Sequence, residues 1–225
     1  MADGASFSSG TWISFTDTLV QAVFIEAMYG RIIPLHENPI EPHQVGCTDF
    51  GAVNNNGSIT IGQTWDFSIL FSLPHQFVLH KLPGKPLVFT YRMGACPALP
   101  LGKNEYGLTL VMNLVMTNAI APIMTPTFVY IRDGLENNIT AEDLCKTLLP
   151  DNKSSYSHNF LMADNDTLIA VQCLPENVTK KVNPPTIVQS NTYSDLYWQQ
   201  YLVHPEYSKQ RQQYAEIQIT SNYTE

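Results

Sequence analysis

The two ends of one short stretch carry side chains that could take part in a nucleophilic reaction. Residues 45–67 read VGCTDFGAVNNNGSITIGQTWDF, with Cys47 near the start and Asp66 near the end. The runs CTDFGAV and SITIGQTW have the composition of strands, and the Asn-Gly pair between them is a strong signal for a hairpin. A hairpin would bring Asp66 back towards Cys47. The pair is therefore either a buried thiol and a turn carboxylate, or a nucleophile and the group that orients it.

A break in the chain between Gly46 and Cys47 would place a thiol and a free α-amine on the same residue. The reference pKa of an α-amine is about 7.7–8.0, and that of a cysteine thiol is about 8.5. The amine could therefore accept the thiol proton, directly or through a water, without a histidine. Asp66 would hold the resulting α-ammonium group in place. Gly46 and Cys47 thus form a candidate cleavage site, with Cys47 and Asp66 as candidate catalytic residues.

Three more polar residues interrupt apolar runs. Asn113 lies in YGLTLVMNLVM, and His158 and Asn159 are neighbours in SYSHNFLMAD. A buried asparagine must be hydrogen-bonded, so each one is either a satisfied core residue or a donor that faces a reacting oxygen. His158 could form a Cys–His pair that needs no self-cleavage. Alternation along a strand would, however, place His158 and Asn159 on opposite faces.

The composition describes a folded acidic chain. Of its 225 residues 44% are hydrophobic and 14% are charged, and the formal net charge is −8. This charge argues against nucleic-acid binding, which needs a basic surface. No apolar run approaches the roughly 20 residues of a membrane-spanning helix, and neither a secretory signal nor a peroxisomal tripeptide is visible. We therefore expect a cytoplasmic or otherwise intracellular protein that binds neither nucleic acid nor membranes.

The spacing of cysteines and histidines does not fit a metal site. Cys47, Cys96, Cys145 and Cys173 include no C-x-x-C pair, and the six histidines show no H-x-x-x-H spacing. Glycine-rich phosphate-binding and dinucleotide-binding motifs are absent as well. The sequence therefore predicts no metal and no cofactor.

The predicted elements run in the order strands, helices, strands. An amphipathic helix over residues 16–29 should end at Gly30, and Thr140 should begin a later helix because its surroundings resemble a capping box. The other predicted segments are strands at 47–53, 58–65, 77–82, 86–93, 106–116, 158–164 and 167–174, helices at 127–136 and 141–149, and a partly helical tail. Since no β-α-β alternation occurs, we predict an α+β domain with layered antiparallel sheets.

The stretch GCTDFGAVNNNGSITIGQTWDF resembles the nucleophile region of the acyl-coenzyme A:6-aminopenicillanic-acid acyltransferase (isopenicillin-N acyltransferase) family. Members of that family show Gly-Cys-Thr, a hairpin with Asn/Asp-Gly at its turn, and then Gly-Gln-x-Trp-Asp. The likeness continues through NEYGLTLVMN, SYSHNFLMAD and YLVHPEY, and so covers about residues 45–210.

The resemblance implies an N-terminal-nucleophile (Ntn) hydrolase whose fold is a four-layer αββα sandwich with antiparallel sheets. It further implies that residues 1–46 are a precursor segment and that residues 47–225 are the Ntn domain. The precursor would cleave itself between Gly46 and Cys47, and the two fragments could stay together as a heterodimer.

The resemblance also assigns roles to individual residues. Cys47 would attack an amide or thioester carbonyl, Asp66 would orient the α-amine, and Asn159 with Asn113 would stabilise the oxyanion. Related bile-salt hydrolases have an arginine where this chain has Gln63, so a carboxylate-binding role is not transferred to that position. Three residues of the motif are expected to support the site: Thr48, Gln63 and Trp65.

These implications define the expected function and its alternative. The expected activity is amide hydrolysis or acyl transfer on a small-molecule acyl-amide or an acyl-coenzyme A thioester, with coenzyme A entering only as part of a substrate. The alternative is a catalytically silent member of the family that serves as a binding or scaffold protein.

Overall fold

A computed structural model describes Thr16, Val20, Val23, Phe24 and residues 26–35, 46–66, 75–93, 101–122 and 124–223. Cys96 lies outside these residues, and so does most of the first part of the helix predicted over residues 16–29. The strands are β1 Gly46–Val53, β2 Ile59–Asp66, β3 His75–His80, β4 Val88–Met93, β5 Leu101–Asn104, β6 Thr109–Leu114, β7 His158–Ala163, β8 Leu168–Leu174, β9 Asn177–Val182 and β10 Thr186–Ser190. The longer helices are α1 Thr127–Asn137, α2 Ala141–Leu148 and α3 Glu206–Tyr223.

The strands form two antiparallel sheets that stack on each other. One sheet has the order β10-β1-β2, and the other runs from β3 to β9 in chain order. Helix α3 packs on β10 and β1, whereas α1 and α2 pack on the larger sheet. The layers therefore follow the order helix, sheet, sheet, helix. This confirms the predicted α+β fold with αββα layers and antiparallel sheets.

Strand β1 lies between α3 and the larger sheet, and all of its residues except Phe50 are buried or half-buried. Asp49 and Gly51 point towards strands of the larger sheet, and Cys47 shares their face because side chains alternate along a strand. Gly46 and Thr48 point the other way, towards α3. The residue proposed as nucleophile therefore lies in the space between the sheets.

Apolar side chains fill the two layer interfaces. Between the sheets lie buried residues of the larger sheet, packed against half-buried residues of the smaller one: Val111, Leu161, Ala163, Leu168 and Ala170, with Val53, Ile59, Ile61 and Ile187. A larger cluster joins the outer face of β6, β7 and β8 to α1 and α2. Among the described residues, no helix has the length and apolar character needed to cross a membrane.

Helix α2 begins as predicted, with the Thr140 hydroxyl accepting a hydrogen bond from the Asp143 main-chain N–H at 3.2 Å. The predicted helix end at Gly30 is wrong, because helical turns continue from residue 26 to Leu35. A β-carbon at Gly30 would lie 2.5 Å from the main-chain oxygen of Ser155. Gly30 is thus a point of close packing within the helical turns.

We call residues 26–35 the docking segment, since they are held against the rest of the chain by main-chain and side-chain bonds. The Thr127 main-chain N–H, at the start of α1, donates to Glu26 Oε1 at 2.6 Å. The Ala121 main-chain N–H donates to the Gly30 carbonyl at 3.1 Å. Glu26 Oε2 is buried and has no hydrogen-bond partner among the described residues. Burial raises the pKa of the Glu26 carboxyl to about 7, although the bond from Thr127 acts in the opposite direction.

Replacing Glu26 with glutamine is expected to reduce the pH dependence of stability. The folded chain keeps the Glu26 proton up to about pH 7, whereas the unfolded chain releases it near its ordinary value of 4.5. The free energy of unfolding should therefore fall as the pH rises through this range, by about 3 kcal/mol at most for this one group. Glutamine can still accept from Thr127 but cannot ionise. We expect Glu26→Gln to be more stable than the parent at pH 8.

The measurement is thermal unfolding between pH 5 and pH 8, in a Cys47→Ala background that removes the predicted nucleophile. Glu142→Gln, at an exposed site in the first turn of α2, is the control and should leave the slope unchanged. Equal slopes for Glu26→Gln and the parent would contradict the expected role of the Glu26 carboxyl.

Candidate active site

Cys47 is buried at the second position of β1, where strands on both sides fix its surroundings. Its side chain is 1% exposed. On one side it pairs with Trp65 of β2. On the other side β1 pairs Thr48 with Ser190, so that Asn191, directly after β10, comes opposite Cys47. The Cys47 main-chain N–H donates to Asn191 Oδ1 at 2.7 Å.

Arg211 of α3 binds the same group of atoms from the outer side of β1. Its Nη1 donates to the Cys47 carbonyl oxygen at 2.7 Å and to Thr48 Oγ1 at 2.8 Å. Its Nη2 donates to Asn191 Oδ1 at 2.7 Å. A β-carbon on Gly46 would lie 2.7 Å from the Arg211 guanidinium carbon. Glycine at position 46 therefore leaves the room that the Arg211 guanidinium group occupies at this end of β1.

Asn191 connects the nucleophile to the larger sheet. Its Nδ2 donates to the Leu114 carbonyl at 2.5 Å, while its Oδ1 accepts from Cys47 and Arg211. The amide also lies within hydrogen-bonding reach of the Cys47 thiol. Sequence reasoning missed both Asn191 and Arg211. The only local signal for Asn191 was its place after the short apolar run of β10. Arg211 is one of 12 lysine and arginine residues, and nothing local distinguishes it from the others.

The Cys47 thiol is neutral in this environment. Burial raises the pKa of the thiol to about 12, against smaller opposing effects from Asn191, the Asp66 main chain and Arg211. Burial is the main reason that the pKa of the Tyr29 phenol, in the docking segment, is raised to about 12. A smaller contribution comes from the Cys47 thiolate, which lies near enough to act on Tyr29. A thiol with so high a pKa needs a base before it can act as a nucleophile.

Asp66 ends β2 directly opposite Gly46, so the predicted hairpin brings it to the proposed cleavage site. Its side chain is exposed. Its charge acts on both the Cys47 thiol and the Arg211 guanidinium, raising the pKa of each, while burial is the largest influence on both groups. Asp66 is therefore placed at the point where a new α-amine would form. Its role there stays a prediction.

Asn113 and Asn159 face each other on β6 and β7, and both are fully buried. Asn159 Nδ2 donates to the main-chain oxygens of Ser190 and Thr192 at 2.8 and 2.9 Å. Asn113 Nδ2 donates to Asp49 Oδ2 at 2.8 Å and to a main-chain oxygen of β10 at 3.0 Å. All four amide hydrogens are thus engaged in holding the two sheets together. The oxyanion role assigned to these residues stays a prediction.

The remaining residues of the motif connect the sheets. Gln63 Nε2 donates to Asn113 Oδ1 at 3.0 Å and also to the Met112 carbonyl. The half-buried Trp65 ring meets the Tyr91 ring edge-on, with centroids 5.6 Å apart. Thr48 is the hydroxyl acceptor for Arg211 described above. These contacts place Thr48 and Trp65 around Cys47, and Gln63 two residue pairs further along the hairpin.

Asp49 is a buried acid that sequence reasoning did not single out. It lies two residues beyond Cys47 on the same face and pairs with Gln63 across the hairpin. Burial raises its pKa well above the ordinary value. Its Oδ1 has no hydrogen-bond partner among the residues that the structure describes. Burial therefore favours the neutral form of the Asp49 carboxyl, and its Oδ2 accepts a hydrogen bond from Asn113.

His158 lies on the opposite face of β7 from Asn159. It packs between the rings of Tyr156 and Phe160, with centroid distances of 4.9 and 4.3 Å, and its Nδ1 lies 3.1 Å from Ser154 Oγ. Burial lowers its pKa to about 3, so the imidazole is neutral. The structure does not bring His158 to Cys47. Within the described ranges, no group of three or more His, Cys, Asp or Glu residues could hold a metal ion.

Two stacked antiparallel sheets between layers of helices are the architecture of the Ntn-hydrolase fold. A solved structure of the N-acylethanolamine-hydrolyzing acid amidase ortholog from Caenorhabditis elegans is similar to this chain, with a TM-score of 0.56 and 15% sequence identity over 68% of this chain and 73% of that one. At this identity the match shows a shared fold.

A C2A mutant of the conjugated bile acid hydrolase from Clostridium perfringens also matches, with a TM-score of 0.48 and 15% identity over 68% of this chain and 55% of that one. No protein-family model and no curated protein matches the chain.

Proposed function

We propose that this chain is a cysteine Ntn hydrolase that cleaves amide bonds in small molecules after removing its own segment 1–46. The observation that carries the proposal is the cluster at the start of β1. There Asn191 binds the nitrogen of the candidate nucleophile, and Arg211 binds both its carbonyl oxygen and Asn191. These contacts fix the main-chain atoms on both sides of the Cys47 side chain.

Self-cleavage would proceed by attack of the Cys47 sulfur on the carbonyl carbon of Gly46. The carbon–nitrogen bond between the two residues breaks, and the thiol proton passes to the nitrogen, which becomes the α-amine. Water then hydrolyses the thioester and leaves a carboxylate on Gly46 and a free thiol on Cys47. Asn191 and Arg211 hold the nitrogen and the carbonyl of Cys47 during this exchange, so the scissile bond is fixed on its amine side.

Turnover would use the new α-amine as the base, since its pKa lies near neutrality. The amine deprotonates the thiol, the sulfur attacks the substrate carbonyl, and the proton goes to the departing amine of the substrate. Asn191 Oδ1 already accepts from the Cys47 nitrogen and would orient the α-amine. Asn191 Nδ2 would donate to the developing oxyanion, a contribution of about 10²–10³ in rate for one donor. Arg211 is the positioning residue for Asn191.

The fold supports hydrolysis of amides as the class of reaction, since the solved structure of the same fold is named for hydrolysing N-acylethanolamines. Acyl transfer from a coenzyme A thioester, which the acyltransferase resemblance implies, would use the same thioester intermediate with an amine in place of water. The deep burial of Cys47 favours a second candidate, a silent binding protein that never matures.

Self-cleavage is the experiment that tests the proposal. We expect purified protein to separate into two fragments on a denaturing gel, with N-terminal sequencing of the larger one starting at Cys47. The mature enzyme should then hydrolyse a fluorogenic acyl-arylamide. Cys47→Ala should stay intact and inactive. A wild-type chain that remains whole and inactive would support the silent alternative, and an uncut active chain would contradict the proposed base.

A further inference from the structure

The inner face of β3 and β4 carries a row of exposed apolar side chains. Phe77 pairs with Tyr91 across the two strands, and Leu79 pairs with Phe89. Phe77, Leu79 and Phe89 are 67%, 63% and 44% exposed. The Phe77 ring stacks on Phe89 with centroids 5.4 Å apart and lies equally close to Tyr91. We call these four residues the apolar ladder.

The apolar ladder lies on the face of the larger sheet that the smaller sheet covers elsewhere. Strand β4 pairs Thr90 with Gly102, which brings Tyr91 opposite Leu101, and Leu101 pairs with Val111. Leu101 and Val111 belong to the core between the sheets. The smaller sheet ends at β2. Among the described residues, the apolar ladder therefore extends the inner face of the larger sheet beyond the edge of the smaller sheet.

Trp65 connects the apolar ladder to the candidate nucleophile. It pairs with Cys47 across β1 and β2, so both side chains point into the space between the sheets. Its ring meets Tyr91 edge-on at 5.6 Å. An apolar path thus leads from Cys47 over Trp65 to Tyr91, and along the stacked rings to Phe89.

A contiguous apolar surface next to a buried nucleophile is typical of a ligand site, whereas single exposed apolar residues are ordinary. The group that needs such a surface throughout the reaction is the acyl group, because it stays bound to the cysteine as a thioester while the amine departs. An acyl group anchored there would be held in both the acylation and the hydrolysis step. The amine, in contrast, must leave towards solvent.

We propose that the apolar ladder binds the acyl group of the substrate and selects acyl groups with an extended apolar body over short or charged ones. This inference rests on the proposed function. It predicts that an acyl group reaching past Trp65 gains contact with Tyr91 and Phe77, and that an acetyl or β-alanyl group gains none.

The test compares acyl-arylamides that share one fluorogenic amine and differ only in the acyl group, namely acetyl, β-alanyl and 4-phenylbutanoyl. Mature wild-type enzyme should have a kcat/KM for the 4-phenylbutanoyl amide at least tenfold above the others, the size expected from burying part of an aromatic group. Phe77→Thr and Phe89→Thr should each lower that kcat/KM about tenfold and change the acetyl value less than twofold. Val182→Thr is the matched control, since Val182 is 54% exposed on β9 at the other edge of the same sheet.

A second readout separates failure of the inference from failure of the proposed function. In wild-type protein, for which 4-phenylbutanoate is a product and not a substrate, calorimetry should detect binding of this acid, and Phe77→Thr should weaken that binding about tenfold. Binding without amide cleavage by wild-type enzyme would overturn the proposed function and leave the ladder as a ligand site. Cleavage without preference among the three acyl groups would overturn the inference alone. The inference would also be overturned if Phe77→Thr lowered kcat/KM equally for all three substrates. Self-association of the wild-type protein that Phe77→Thr abolishes would overturn it as well.

Discussion

Replacing Asn191 with leucine is expected to slow amide hydrolysis by about 10²–10³, because the substitution removes an amide donor that acts on the thiol and keeps a similar side-chain volume. Self-cleavage should slow as well, since Asn191 Oδ1 holds the nitrogen of the scissile bond. The rates are measured with purified protein, by gel analysis for self-cleavage and with a fluorogenic acyl-arylamide for turnover.

Asn159→Leu is the comparison that separates two assignments of the oxyanion donor. The motif resemblance gives the role to Asn159 with Asn113, whereas the contacts at Cys47 favour Asn191. Removing the Asn159 amide leaves two main-chain oxygens without their donor, at roughly 1–3 kcal/mol each. We therefore expect Asn159→Leu to lower the melting temperature while its folded fraction keeps activity within tenfold of wild type. A stable but inactive Asn159→Leu, together with an active Asn191→Leu, would restore the assignment from the motif.

Replacing Arg211 with lysine should slow self-cleavage about 100-fold although the charge is kept. A lysine ammonium is a single point, and it cannot bond the Cys47 carbonyl, Thr48 and Asn191 together as the guanidinium does. Losing one or two charge-assisted hydrogen bonds, at roughly 1.5–3 kcal/mol each, accounts for a factor of this size. The rate is followed on denaturing gels after synthesis of the precursor.

Two further variants test whether Arg211 acts through the position of its guanidinium group or through its charge alone. Lys209→Met removes a neighbouring positive charge from the same helix and should cleave at the wild-type rate. Gly46→Ala keeps Arg211 but adds a β-carbon where the guanidinium lies, and it should slow cleavage for that reason. Wild-type cleavage by Arg211→Lys would show that charge alone is sufficient and would remove Arg211 from the proposed arrangement.

The hairpin that carries Cys47 and Asp66 could be predicted because its determinants are local. An Asn-Gly turn and alternating strands fix the register of β1 and β2, and the register fixes which residues face each other. The capped start of α2 was predictable for the same reason. Local patterns of this kind also predicted most strands of the larger sheet. The short strand β5 and the polar strand β9 carry no such pattern and were not predicted.

The cluster around Cys47 could not be predicted because it depends on contacts between distant parts of the chain. Asn191 and Cys47 are 144 residues apart and meet only because β10 adds to the edge of β1. Arg211 lies on a helix whose apolar residues form no one-sided stripe, so no pattern marks the buried face. Asn113 and Asn159 were recognisable as polar residues in apolar strands, but their partners were not.

The docking segment has a consequence for how a cleaved enzyme would recover from denaturation. Before cleavage, residues 26–35 find the start of α1 as part of the same molecule, at an effective concentration that a short tether can bring to the millimolar range. After cleavage, the same contacts from Glu26 and Gly30 must form between two molecules. Diluted refolding would then depend on protein concentration. The mature enzyme would rely on slow unfolding to persist, and each molecule could assemble efficiently only once, as a precursor.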